Sequence, residues 1–183
     1  MAIYYRATTT PMPVGKNPGE KTYDFSNDAE RRRLEEFLEE RRPGKSHSRL
    51  SSWFACDSPE HAARYLDAQL KHEEKRGDVL VFEVEMPAPS KQPMALIDAL
   101  LAALREGDID KAEFLVEEYW TPKQSWKFWE YTSGGISLVA AKIESVDEMA
   151  VYIAHQDYAG DRARIKRLLA ERPKSPESTA GQK

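Results

Sequence analysis

Leu50-Ser51-Ser52-Trp53-Phe54-Ala55-Cys56-Asp57-Ser58-Pro59-Glu60-His61-Ala62-Ala63 is the stretch on which the fold turns. Its first part, residues 48–55, reads as a short strand, because Leu50, Trp53 and Phe54 are types that pack on a pleated surface. Its second part has a clear helix start. Ser58 is a good N-cap, Pro59 suits the first helical position, and Glu60 places negative charge in the first turn. Ala62, Ala63, Leu66 and Leu70 form the apolar stripe of this helix, and Gly77-Asp78 ends it.

Towards the N-terminus, residues 2–9 are aromatic and β-branched and predict a first strand, followed by a loop punctuated by Pro11, Pro13, Gly15, Pro18 and Gly19. A helix starting at Asn27 or Asp28 runs to Arg42, with Leu34, Phe37 and Leu38 on one face, and Pro43-Gly44 stops it. Towards the C-terminus, residues 79–86 predict a strand closed by Pro87 and Pro89, and residues 94–105 an apolar helix stopped near Gly107-Asp108. Residues 112–116 alternate in a way that predicts a short strand, with Glu113 facing away from Ala112, Phe114 and Val116. An aromatic-rich segment with Trp120, Trp126, Phe128, Trp129 and Tyr131 follows, then a strand over 136–143. Helices are expected over 145–153 and 161–170, and residues 173–183 have the polar composition of a disordered tail. Strand and helix mix without the regular alternation of a doubly wound sheet, so the expected class is α+β, in one domain over residues 1–172.

Composition narrows the function. The chain has 183 residues, with 27 Lys+Arg against 31 Asp+Glu and a net charge of −4, which argues against a dedicated nucleic-acid binder. The most apolar stretch, residues 94–104, is about half the length a bilayer crossing needs, and the N-terminus lacks the pattern of a secretory signal. No membrane association and a cytoplasmic location are therefore expected. One cysteine, Cys56, excludes an internal disulfide and a multi-cysteine zinc site, and beside Asp57 it is better read as a small buried residue than as a nucleophile. The four histidines show no metal-ligand spacing: His61 and His72 share one expected helix but lie roughly 16 Å apart along it. No glycine-rich phosphate loop is present. The arginines at 31–33 and 41–42 read as solvated helix faces, and Trp126 and Trp129 as core.

Three pieces in chain order resemble the motif set of the ADP-ribosyltransferase superfamily, in its Arg–Ser–Glu branch. The first is the strand Tyr4-Tyr5-Arg6-Ala7-Thr8; the second is Ser51-Ser52-Trp53-Phe54 running into the helix after Ser58; the third is Ala112-Glu113-Phe114-Leu115-Val116. The resemblance implies a compact domain of split antiparallel or mixed sheets with flanking helices. It further implies that Arg6 and Tyr5 contact NAD, that Ser51, Ser52 and Trp53 shape the nicotinamide pocket, and that Glu113 is the catalytic carboxylate. Glu117 and Glu118 are rivals for that last role. By this reading Ser51 and Trp53 face the cleft and Phe54 the core. NAD is then the substrate, no metal is required, and the acceptor of ADP-ribose is a macromolecule, protein before nucleic acid. The implied activity is mono-ADP-ribosyl transfer by a bacterial or phage effector, toxin or counter-defence factor, acting in the cytoplasm of its own or a target cell. Ser51-Ser52-Trp53 stands where relatives carry Ser-Thr-Ser, which leaves open which hydroxyl matters, and Lys111 stands where arginine- or asparagine-modifying relatives carry Glu or Gln, which leaves the acceptor type open. NAD hydrolysis by the same fold is one alternative. A non-enzymatic interaction module of the immunity or adaptor kind, using the aromatic and arginine-rich surfaces, is the other.

Overall fold

In the computed structural model, residues 2–9, 27–67, 79–139 and 148–172 are described. In chain order they form β1 (Ile3–Thr8), α1 (Ala29–Glu40), a 3-10 turn (Arg49–Ser51), β2 (Trp53–Ala55), α2 (Pro59–Asp67), β3 (Leu80–Glu85), β4 (Ser90–Pro93), α3 (Ala95–Glu106), α4 (Ile109–Trp120), β5 (Trp129–Ser133), β6 (Ser137–Leu138) and α5 (Glu148–Glu171). The class is α+β.

The strands make two three-stranded antiparallel sheets, ordered β1-β3-β6 and β2-β5-β4. One isolated bridge joins them: Tyr5 N donates to Cys56 O at 2.9 Å and Cys56 N to Tyr5 O at 2.8 Å. Because no further ladder rungs follow, β1 and β2 are free to part beyond the bridge. The main core lies where α1, α3, α4 and α5 bury Leu34, Leu38, Leu100, Leu115, Tyr119 and Tyr158 against Phe128. A smaller core gathers Trp53, Ala55, Phe82, Val84, Ile136 and Leu138.

Local chemistry explains most boundaries. The Asp28 carboxylate accepts from Arg31 N at 2.9 Å and starts α1. Ser58 Oγ accepts from His61 N at 3.1 Å and caps α2 as expected. Gly107 closes α3 with φ of 73°, a left-handed conformation that glycine adopts without a Cβ penalty.

Three expectations are corrected, and two strands are added. Residues 112–116 are helix, not strand: Asp108 caps α4 by accepting from Lys111 N at 2.9 Å, and Ala112, Leu115, Val116 and Tyr119 are buried at i, i+3, i+4 and i+7. Residues 48–55 are not one strand, because Ser48 Oγ takes Leu50 N at 3.2 Å and winds Arg49–Ser51 into a 3-10 turn, so β2 starts only at Trp53. The expected pair of C-terminal helices is a single α5, since Ala154, Tyr158, Asp161 and Ile165 make an unbroken inward stripe past Gly160, which meets open space. Two strands were hidden: β4, an edge strand where Pro93 is tolerated, and β5, inside the aromatic segment. The loop at 11–19, Leu70, His72, Gly77-Asp78, most of the 136–143 strand beyond β6, the start of the 145–153 helix and the 173–183 tail lie outside the described residues.

Candidate functional site

Where β1 and β2 part, a cavity of about 190 Å³ opens between them, walled by α2 and closed by β5. Its lining includes Tyr5, Arg6, Phe54, Cys56, Tyr65 and Glu130. Arg6 reaches across the gap: Nη1 donates to Phe54 O at 2.7 Å, and its guanidinium lies 5.0 Å from the centre of the Trp53 ring. Counted from the Tyr5–Cys56 bridge, Arg6 shares a sheet face with Ala55 and Tyr131, whereas Glu130 points to the other face. Both line the cavity because it lies in the gap between the parted strands.

Glu130 is the unexpected member. It sits second in β5, opposite Gln92, and is 2% exposed. Its Oε1 accepts from Tyr119 OH at 2.6 Å and from Arg49 Nη1. Arg49 also donates through Nη1 to Tyr119 OH at 2.6 Å and through Nε to Glu35 at 2.9 Å, and Glu35 takes Arg31 at 2.7 Å. Four elements thus meet at one buried charge cluster: α1, the 3-10 turn, α4 and β5. Burial alone would lift the Glu35 carboxyl, but Arg49 and Arg31 outweigh it and hold Glu35 below the ordinary carboxylate range. Tyr119 is pushed well up, by burial first. Glu130 Oε2 is buried and has no hydrogen-bond partner among the described residues. A second cavity, of about 150 Å³, adjoins the first through Tyr65, Met94 and Glu130 and adds Arg31, Arg49 and Arg64.

Of the residues expected at the site, the structure brings Tyr5 and Arg6 to the cavity and leaves the others elsewhere. Ser51 is exposed in the 3-10 turn, and Ser52 is 1% exposed just before β2. Trp53 belongs to the smaller core, while half-buried Phe54 lines the cavity, the reverse of the expected alternation, because the 3-10 turn breaks the strand before Trp53. Glu113 lies on an outer face of α4, where Arg41 Nε reaches its two oxygens at 2.8 and 2.9 Å. Glu117 pairs with Lys123 Nζ at 2.6 Å. Glu118 Oε1 caps the following loop, accepting from Lys123 N, Gln124 N and Trp126 Nε1 at 2.9, 2.9 and 3.0 Å. Glu113 and Glu117 line a separate groove with Arg41, Trp120 and Arg172.

The sequence carried one signal for Glu130: a lone carboxylate among the β-forming residues Trp129, Tyr131 and Thr132. Nothing in spacing tied it to Arg49 or Arg6. Cys56 also lines the cavity, but burial, reinforced by the charges of Asp57 and Glu130, raises its thiol far above the ordinary range and disfavours a thiolate there. Among the described residues no group of three or more His, Cys, Asp or Glu side chains is placed to hold a metal ion, and no helix is long and apolar enough to cross a membrane. Compared with known proteins, the sequence matches no protein-family model and no curated sequence.

Proposed function

We propose that the protein takes the nicotinamide-ribose end of NAD into the cavity between β1 and β2, and transfers ADP-ribose to a macromolecule, protein before nucleic acid. One juxtaposition carries the reading: Arg6 and the buried carboxylate of Glu130 line the same cavity. A guanidinium suits a diphosphate through charge-assisted, often bidentate bonds. A fixed carboxylate in a water-poor site stabilises the cationic, oxocarbenium-like ribose carbon that forms as nicotinamide departs. The carbon–nitrogen bond breaks with its electron pair leaving on nicotinamide, and the acceptor nucleophile bonds to the ribose carbon and gives up its proton. In this role Glu130 replaces Glu113. At about 190 Å³ the cavity is below the usual ligand-pocket range, so it holds one end of the dinucleotide and not the whole. Two small antiparallel sheets with flanking helices also support the reading, being the architecture that the motif resemblance implies.

A separate observation favours a binding module. Met149, Tyr152 and Ile153, spaced along one side of α5, are 65%, 58% and 55% exposed. Incubating the protein with NAD, with and without cell lysate, and measuring free nicotinamide decides between them. Release only with lysate supports transfer, and release without lysate points to hydrolysis by the same site. No release under either condition overturns the enzymatic reading and leaves the partner surface.

A further inference from the structure

We infer that Arg49 and Tyr119 are positioning residues that hold the Glu130 carboxylate in one orientation at the wall of the ligand cavity; this rests on Glu130 acting as proposed above. The side chains of Arg49, Glu35 and Glu130 are each 3% exposed. Taking three charged groups out of water is costly, and apolar packing of the same volume is often at least as stable, so a simple brace between elements does not by itself ask for Glu130.

The bonding is also lopsided. Both donors, Arg49 Nη1 and Tyr119 OH, converge on Oε1, and Arg49 also donates to the Tyr119 hydroxyl, so the three groups close a triangle. Two donors on one oxygen restrict rotation of the carboxylate. Arg49 is itself held by Glu35 and lies 4.8 Å from the centre of the Phe54 ring, on a residue that lines the cavity. Oε2 is closed off from water and has no partner among the described residues, an unmet acceptor that a purely structural brace would not be expected to leave. Glu130 also lines both cavities, so the cluster and the ligand space meet at this one carboxylate. Lysine at position 49 would not reproduce the triangle, since an ammonium on a flexible stem lacks the planar fork that serves Glu35, Tyr119 and Glu130 together.

The test compares Tyr119→Phe, Arg49→Lys and Glu130→Gln with the parent chain for NAD turnover per folded molecule, KM for NAD and Tm. Positioning predicts that Tyr119→Phe melts cooperatively and loses roughly 10- to 100-fold in kcat, as expected when a reacting group is misplaced. Its KM stays within about twofold of the parent's, the mark of an interaction made in the transition state. Arg49→Lys gives no rescue. If Arg49→Lys does not fold, Tyr119→Phe decides alone. A lowered Tm with unchanged kcat in Tyr119→Phe means the cluster is only structural and overturns the positioning role while Glu130 keeps its own. No nicotinamide release by the parent, or full activity in Glu130→Gln, overturns the underlying reading and this inference with it.

Discussion

Arg41 grips Glu113 across the gap between the end of α1 and the start of α4, with Nε at 2.8 and 2.9 Å and Nη2 at 2.6 Å. The same guanidinium stacks 3.6 Å from the centre of the Phe37 ring and donates to Phe37 O at 3.2 Å. The contact closes a fork-on-carboxylate pair between two helices, and Arg41 lowers the Glu113 carboxyl below its usual range through that hydrogen bond. Glu113 is thereby a helix-docking residue on a partly exposed surface.

Glu113→Gln is accordingly expected to leave NAD turnover unchanged and to cost little stability. The side chains are 28% and 47% exposed, so solvent screens the pair, and a loss of about 0.2–1 kcal/mol is expected at neutral pH. Urea unfolding of the variant beside the parent measures it. A large loss of turnover with an unchanged melt would return the catalytic role to α4.

Glu130→Gln keeps the shape of the side chain and removes its charge. For an electrostatic role at the ribose carbon, nicotinamide release falls by roughly 10²–10³. Loss of the charge also leaves Arg49 short of a counter-ion in a buried place, so Tm drops as well. Comparing turnover of material shown to be folded separates the two effects. A variant that is folded and fully active would remove Glu130 from the reaction.

Acid should weaken the fold through Glu35. Its folded-state pKa is depressed, so its ion pairs with Arg49 and Arg31 contribute in full above the unfolded value of about 4.3 and are lost as pH falls through the lower folded value. Asp161 works against this: burial raises its carboxyl despite bonds from Phe128 N at 2.8 Å and Lys127 N, so protonation relieves a cost there. With Glu113 adding to the Glu35 side, the net expectation is a falling Tm below about pH 4.5. Glu35→Gln flattens that acid limb while lowering stability at pH 7 by about 3–5 kcal/mol, the usual cost of breaking a buried pair. An unchanged acid limb in Glu35→Gln would show that other groups govern it.

Cys56 should be silent in the folded protein. It is 4% exposed, its thiol pKa is raised by burial, and its neighbours Asp57 and Glu130 are acidic. An aromatic disulfide reagent at pH 8 is expected to label it only after denaturant is added, with the labelling transition following unfolding. Fast labelling without denaturant would mean that the cavity opens readily from outside.

Much of the fold was legible because its signals are local. Asp28 before an apolar stripe, Ser58-Pro59-Glu60, the β-forming run 80–85 and Gly107 each act through neighbours within one helical turn or one strand, so the residue types alone determined α1, α2, β3 and the end of α3. Arg6 on the first strand was legible in the same way. Short segments that satisfy two periods were not: residues 112–116 alternate like a strand, yet the cap at Asp108 and the inward positions 112, 115, 116 and 119 favour helix once α3 is there to cover them. Tertiary structure alone decided the candidate site. Tyr119 and Glu130 lie 70 and 81 residues beyond Arg49 in sequence, and no pattern along the chain relates the three. Only the low-dielectric interior, where an unpaired charge cannot persist, brings the three into contact, while solvent at the surface leaves Glu113 as one more exposed ion pair.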